Sequence, residues 1–181
     1  MESKIILNYD KLLNYVNAHK TLEQRVVCTI GSWDLLHIGH LRYLARAKQK
    51  GDILIVGADS DRAIKLYKNK FRPIIPQGER LEMLSYQQCV DYVTLVDDVD
   101  EKGQWGYELI KKIRPDFFVC IAESYPKEQQ EEIKKYCNYL IELPRQAERT
   151  STSDIIEKTI KTHLLEINRF LDERNIPKIN S

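Results

Sequence analysis

The chain has 181 residues and a mass of 21.3 kDa, with 43% hydrophobic and 30% charged residues, enough for one domain with a sizeable core and too little for two. Twenty-eight Lys and Arg against 27 Asp and Glu leave a formal charge of +1, which argues against holding nucleic acid by bulk charge but leaves room for a local basic site. Seven Gly and six Pro exclude a collagen-like or low-complexity chain, and no apolar run approaches the ~20 residues of a membrane helix.

In chain order, residues 1–21 form a helical lead-in whose amphipathic part carries Leu12, Leu13 and Val16. Arg25 to Ile30 is short and rich in β-branched residues, which predicts a strand. His40 to Lys48 reads as a helix with Leu41, Leu44, Ala45 and Ala47 facing inward and a stop at Gly51. Asp52 to Gly57 is a continuous apolar run of the kind that fills parallel sheets covered on both faces. A helix around Arg80 to Gln88 precedes a strand at Tyr92 to Val96, and a helix near Tyr107 to Ile113 precedes a strand at Asp116 to Cys120. A helix near Lys127 to Tyr136 leads to the last strand, Tyr139 to Leu143. From Asp154 onward, Ile156, Ile160, Leu164, Ile167 and Leu171 recur at helical spacing, which predicts a helix covering the sheet, its late part available to a dimer interface. Asn175 to Ser181 are expected to fray.

Strand and helix in alternation imply one doubly wound α/β domain over residues 1–181, with a five-stranded parallel sheet and a core at about 22–160. The four cysteines, Cys28, Cys89, Cys120 and Cys137, show no Cys-x-x-Cys pairing, so a reduced, cytoplasmic setting is expected. Ligands of such folds collect at the carboxyl ends of strands, so the loops that follow strands are where chemistry is sought.

The loop after the first strand reads Gly31-Ser-Trp-Asp-Leu-Leu-His-Ile-Gly-His40. Two imidazoles, His37 and His40, flank Gly39 where a helix begins. The free N–H groups and positive dipole end of a helix start make an anion site. Histidines there can donate to phosphate and stabilise charge that grows in a transition state. Asp34 could cap the turn or orient an imidazole. A metal pair is the rival reading of His-x-x-His, and no third ligand is evident nearby.

In this frame, Gly31-x-Trp33-Asp34-x-x-His37-x-Gly-His40 resembles the signature of the cytidylyltransferase-like nucleotidyltransferases, with Trp33 where Phe is usual. The resemblance continues through Lys65-x-x-Lys68, Arg72-Pro73, Glu79-Arg80-x-x-Met83-Leu84, Val90-Asp91-Tyr92-Val93, Arg114-Pro-Asp-Phe-Phe-Val119, Leu143-Pro-Arg145 and Ser151-Thr152-Ser153-x-Ile155. It runs from about residue 25 to residue 160. Class I aminoacyl-tRNA synthetases share His-x-Gly-His, but they are much longer and carry a lysine-rich loop absent here. Among subfamilies the chain is most similar to the heptose 1-phosphate adenylyltransferases, with glycerol-3-phosphate cytidylyltransferases and archaeal FAD synthetases as rivals.

The resemblance implies a Rossmann-like fold, a homodimer, and transfer of a nucleotidyl group from a nucleoside triphosphate to a phosphorylated acceptor with release of pyrophosphate. The charge balance and the lack of a membrane-length apolar run lead to the expectation of no nucleic acid and no membrane as partner. The resemblance assigns His37 and His40 to the triphosphate, with Lys68 and then Lys65 as phosphate clamps and Arg80 holding phosphate from a helix start. Ile30, Gly31, Ser32 and Trp33 would lie along the nucleotide, close to Gly39. Ser151, Thr152 and Ser153 would receive the outer phosphates; Ser151 and Thr152 also read as an ordinary helix cap, a role compatible with the first. Mg²⁺ is expected on the triphosphate, with no protein cage of its own. The loop Cys120-Ile-Ala-Glu-Ser-Tyr125 departs from the family's glycine-bearing base loop, so Glu123 and Tyr125, with Arg72 and Arg145, are candidates for the base or the acceptor. Between Arg62 and Arg80 lie six basic residues and one acidic residue, so the near-neutral total conceals one basic pocket. A nucleotide-binding regulator without catalysis is the reading from a different class.

Overall fold

The computed structural model describes residues 3–173, and the expected fraying of Asn175 to Ser181 lies outside them. Five parallel strands, β1 (Val26–Gly31), β2 (Ile53–Asp59), β3 (Tyr92–Val96), β4 (Phe117–Ile121) and β5 (Tyr139–Leu143), lie in the order β3-β2-β1-β4-β5. The seven helices among the described residues are α1 (Tyr9–Thr21), α2 (Ile38–Lys48), α3 (Asp61–Tyr67), α4 (Gln77–Ser85), α5 (Glu108–Ile113), α6 (Lys127–Lys134) and α7 (Thr152–Glu173).

Strand alternation divides the core between two faces. Val26 and Cys28 of β1 and Ile53 and Ile55 of β2 pack with Leu12 and Val16 of α1, Leu109, Ile110 and Ile113 of α5, and Ile133 of α6. Their neighbours Val27, Leu54 and Val56 turn the other way, onto Tyr43, Leu44 and Ala47 of α2 and Leu81 and Leu84 of α4. Both sheet faces are therefore dry, which is why β1 and β2 read as unbroken apolar runs. Strand order reverses between β1 and β4, which pair from Val27↔Phe117 and Cys28↔Phe118. A crevice opens at such a reversal because the crossovers leave toward opposite faces.

Two expectations need correction, and one helix was not predicted. In α2 the inward residue is Tyr43 and not Ala45; the Tyr43 hydroxyl donates to Val119 O at 2.8 Å and meets Thr29 Oγ1 at 2.7 Å, which satisfies its polar end inside the core. The basic stretch after β2 contains a helix, α3, started by Ser60, whose hydroxyl accepts from Ala63 N. And α7 does not cover the sheet: Ile160, Leu164 and Ile167 are each more than half exposed, because the two faces are already filled by the other helices. No helix of the described residues is long and apolar enough to cross a membrane.

Candidate active site

The carboxyl ends of the strands open into a cleft of about 810 Å³ centred on β1, within the size range of small-molecule sites. The loop from β1 to α2 is strained, with Trp33 at φ 52° and Leu35 at φ 49°, in the left-handed region that side chains rarely adopt. Two buried anchors hold it there. The Trp33 indole donates to Gly57 O at 2.8 Å. Asp34, fully buried, accepts from Ile74 N and Ile75 N at 2.9 Å each and from Arg72 Nε at 2.6 Å. Burial opposes ionisation of Asp34, but the two N–H groups and the guanidinium outweigh it and hold the carboxyl below its ordinary value. Asp34 therefore fastens the loop to residues 72–75 and does not orient an imidazole.

His37 is the N-cap of α2, and its Nδ1 accepts from Gly39 N at 3.1 Å. His40 Nδ1 in turn accepts from His37 N at 3.4 Å, closing a reciprocal capping box. With both Nδ1 atoms accepting, each neutral ring carries its proton on Nε2. The rings lie 4.0 Å apart, centroid to centroid, and both line the cleft. Gly39 is required by contact: a Cβ there would sit 2.8 Å from His37 Cε1 and 3.0 Å from Ala147 Cβ. Burial lowers the His37 pKa, and burial together with the charges of His37 and Lys68 pushes His40 down to about 4. The site thus offers two neutral N–H donors at neutral pH.

That depression makes stability depend on pH. His40 titrates at about 4 when folded and at about 6.5 when unfolded, so the unfolded chain binds more protons between those values. Stability then falls as pH drops through that window. Asp59, pushed up to about 6 chiefly by burial, acts in the opposite sense over an overlapping range. His40→Asn isolates the histidine: its Tm is expected to fall less than the wild type's between pH 6.5 and 4.5. Equal slopes in thermal melts would show that His40 is not held neutral.

Lys68 follows α3 and donates to Ser32 Oγ at 2.9 Å at the cleft wall. Burial and the neighbouring Arg72 charge lower its pKa. Lys65, one turn earlier on α3, is exposed and does not line the cleft. Arg80 is 1% exposed and its guanidinium is taken by Ile75 O, Ser32 O, Asp59 O and the Asp61 carboxylate. It braces the loops after β1 and β2 instead of presenting charge to a phosphate, because it is buried and each of its three nitrogens donates inside the fold.

On the opposite side, Ser151 Oγ accepts from Asp154 N at 3.1 Å, so the capping reading of that serine holds. Thr152 Oγ1 donates to Asp34 O at 3.0 Å, fixing the start of α7 against the β1–α2 loop. Ser153 lines the cleft beside them. Glu123 and Arg145 pair at 3.5 Å across the mouth, both largely exposed, a contact worth little stability. Tyr125 lines the cleft and stacks on Trp105 at 5.9 Å. Ile30, Gly31 and Ser32 also line it. No group of three or more His, Cys, Asp or Glu able to hold a metal occurs among the described residues.

Sequence reading missed Asp59, Tyr67 and Trp105, which line the half of the cleft above β2 and β3. The signal was available for Asp59, the last residue of β2, had the rule of strand carboxyl ends been applied to every strand.

A family profile described as cytidylyltransferase-like matches residues 28–158. The chain is 41% identical over 155 residues to the bifunctional protein HldE of Helicobacter acinonychis, covering 84% of this chain and 31% of the relative. It is 36% identical to HldE of Geotalea uraniireducens, covering 84% of this chain and 30% of the relative. The chain thus spans about a third of the length of these curated relatives. Among solved structures it is similar to a lipopolysaccharide core biosynthesis protein of Thermoplasma volcanium, with a TM-score of 0.54 and 25% identity, covering 68% of this chain and 97% of that one.

Proposed function

The chain belongs to the cytidylyltransferase-like family, and from that premise we propose that it is a nucleotidyltransferase that transfers adenylyl from ATP to a sugar 1-phosphate and releases pyrophosphate. The observation that carries the reaction type is the pair of Nε2–H imidazole donors at the start of α2, facing Lys68 and the start of α7 across one cleft. Two helix N-termini and an ammonium concentrate positive potential there, with Asp34 paired to Arg72 and the Asp154 carboxylate at the start of α7 offsetting part of it at His37. That set suits a polyphosphate.

In this reading the acceptor's phosphate oxygen attacks the α-phosphorus, a new O–P bond forms, and the bond from the α-phosphorus to the bridging oxygen breaks to release pyrophosphate. The attacking oxygen is already ionised at neutral pH, so the reaction needs no strong general base. What it needs is alignment and neutralisation of charge on the phosphates. His37 and His40 donate to phosphate oxygens as the α-phosphorus becomes five-coordinate, and Lys68 balances charge from the opposite wall. The fixed Nδ1 acceptors keep both Nε2–H bonds aimed without reorganisation. Imidazole N–H, ammonium and hydroxyl groups match phosphate oxygens and not a hard cation, so Mg²⁺, which supplies further charge neutralisation when bound, would come to the site on the triphosphate.

The sugar 1-phosphate is supported by the likeness of Arg72-Pro73 and of the segment from Ser151 to Ile156 to heptose 1-phosphate adenylyltransferases. The lipopolysaccharide role in the name of the Thermoplasma neighbour points the same way. The homodimer that the resemblance implies would cover Ile160, Leu164 and Ile167 of α7.

A pyrophosphate-release screen tests the proposal: ATP, CTP, GTP and UTP against sugar 1-phosphates, glycerol 3-phosphate, phosphocholine, phosphoethanolamine and FMN. ATP with a sugar 1-phosphate is expected to give the highest rate. A best pair of CTP with glycerol 3-phosphate, or ATP with FMN, would replace the substrate assignment. Nucleotide binding with no release from any pair would replace the enzyme with a nucleotide-binding regulator.

A further inference from the structure

One phenol stands where the two sides of the cleft meet. Tyr125 lies in the loop between β4 and α6 and lines the cleft. Its hydroxyl reaches the carboxyl end of β1, where its one hydrogen bond among the described residues is a long one, donated to Ile30 O at 3.4 Å. The groups whose charges act on that hydroxyl come from both sides. Asp59 at the end of β2 and Tyr67 of α3 stand on one, Tyr43 of α2 and Cys120 of β4 on the other.

The ring is held more firmly than its hydroxyl. It stacks on Trp105 at 5.9 Å and meets Phe118 edge-on at 6.0 Å. Gln130 of α6 donates to Tyr125 O at 3.1 Å and to the Glu142 carboxylate of β5 at 2.9 Å, which fastens the loop to the sheet. A phenol packed into a core usually finds a good partner, as Tyr43 does in the same cleft with Val119 O at 2.8 Å. Tyr125 has an anchored ring and a marginal partner, so its donor is positioned in advance and still available. Burial, and after it the Asp59 charge, hold its pKa well above the ordinary phenol value. At neutral pH it is therefore a donor and not a base.

With the triphosphate between the starts of α2 and α7, the acceptor has the remaining side of the cleft, and the reacting phosphorus lies where the two meet. We propose that Tyr125 is a catalytic residue whose hydroxyl donates to a non-bridging oxygen of the α-phosphate, adding a third neutral donor to those of His37 and His40. This rests on the nucleotidyl-transfer reading and supplies it with a residue from the far side of β1. The phenol keeps its proton throughout, so the step still forms one O–P bond to the acceptor and breaks one to pyrophosphate. Leaving Ile30 O costs little, because a charged phosphate oxygen is a stronger acceptor than a carbonyl at 3.4 Å. Asp59 is the rival acceptor on that side. Its Oδ2 already takes the Tyr67 hydroxyl at 2.6 Å, and its charge is countered by Lys68 and Arg80 and reinforced by Asp98.

The test compares Tyr125→Phe, which keeps the ring and its contacts, with Tyr125→Leu, which does not. Pyrophosphate release is measured with ATP and the acceptor that reacts fastest in the panel above, and each variant is melted to check its fold. Tyr125→Phe is expected to keep its Tm within about 2 °C, since only one long hydrogen bond is lost. Its kcat is expected to fall roughly 10–100-fold, with KM for ATP and for the acceptor changed less than about threefold. A second readout uses the two diastereomers of ATP with sulfur in place of one non-bridging α-oxygen. Sulfur accepts a hydrogen bond poorly, so the ratio of their rates is expected to differ by roughly fivefold or more between the wild type and Tyr125→Phe. Packing alone would leave that ratio unchanged. Wild-type kcat in Tyr125→Phe overturns the proposal, and with Tyr125→Leu impaired it makes the ring a packing element only. A loss confined to the acceptor's KM, or an unchanged diastereomer ratio, also overturns it by removing the hydroxyl from the α-phosphate. A wild type that releases no pyrophosphate from any pair overturns the transferase reading and this proposal together, a result distinct from an active wild type with an equally active phenylalanine variant.

Discussion

His40→Ala is expected to lower kcat for pyrophosphate release by roughly two to three orders of magnitude, the loss typical of removing one preorganised donor from a developing oxyanion. The reason lies in the tautomer. His37 N occupies His40 Nδ1, so the only proton His40 can offer points from Nε2, and alanine removes it with no neighbour able to replace it. The effect on folding should be small by comparison. The imidazole makes one long hydrogen bond, a ring contact with His37 at 4.0 Å and an edge contact with Trp33 at 5.6 Å, and its burial in the neutral form already works against stability in acid. A steady-state assay paired with a thermal melt separates the two effects. Normal turnover in a folded variant would remove His40 from the chemistry, and a loss confined to KM would make it a ground-state binder only.

Asp34→Ala carries the largest expected cost to the fold, about 3–5 kcal/mol, the range seen when one partner of a buried ion pair is deleted. Alanine would leave the Arg72 guanidinium charged and enclosed, with Nη2 already lacking a hydrogen-bond partner among the described residues. It would also strip Ile74 N and Ile75 N of their acceptor. For a chain of this size the loss corresponds to a Tm lower by roughly 10 °C. Asp34→Asn keeps one acceptor oxygen and should lose less. The sign of the pH dependence follows from the depressed carboxyl: its contribution is complete above the unfolded carboxylate value near 4 and disappears as pH falls through the lower folded value. An unchanged melt at pH 7 would show that the loop from Gly31 to His37 does not depend on this anchor. Nucleotide affinity should fall with stability, since the same carboxylate holds the strained turn at Trp33 and Leu35 that leads into His37.

Much of this was readable in the linear chain. Val26 to Ile30 and Ile53 to Val56 announce buried parallel strands because β-branched residues on both faces leave no polar side to solvate. His37, Gly39 and His40 announce the anion site because their spacing is local: the capping box that fixes both rings spans four residues. The family membership was legible for the same reason, as a series of short motifs in order along residues 28–158.

What the chain alone could not decide was the fate of groups whose partners are distant in sequence. Arg80 and Arg72 are both basic residues in one basic stretch, and nothing local distinguishes them. Folding buries Arg80 among carbonyls from Ser32, Asp59 and Ile75, and leaves Arg72 paired with Asp34 at the cleft wall. Asp59 and Trp105 meet in one half-cleft only because β2 and β3 are neighbours in the sheet and their carboxyl ends share an edge. The sequence by itself determined the parallel α/β architecture and the imidazole pair, since periodicity and capping act over a few residues. Only the tertiary structure decided which cations are braces, which face the cleft, and which carboxylates line it, because burial and long-range pairing set the charge and exposure of each.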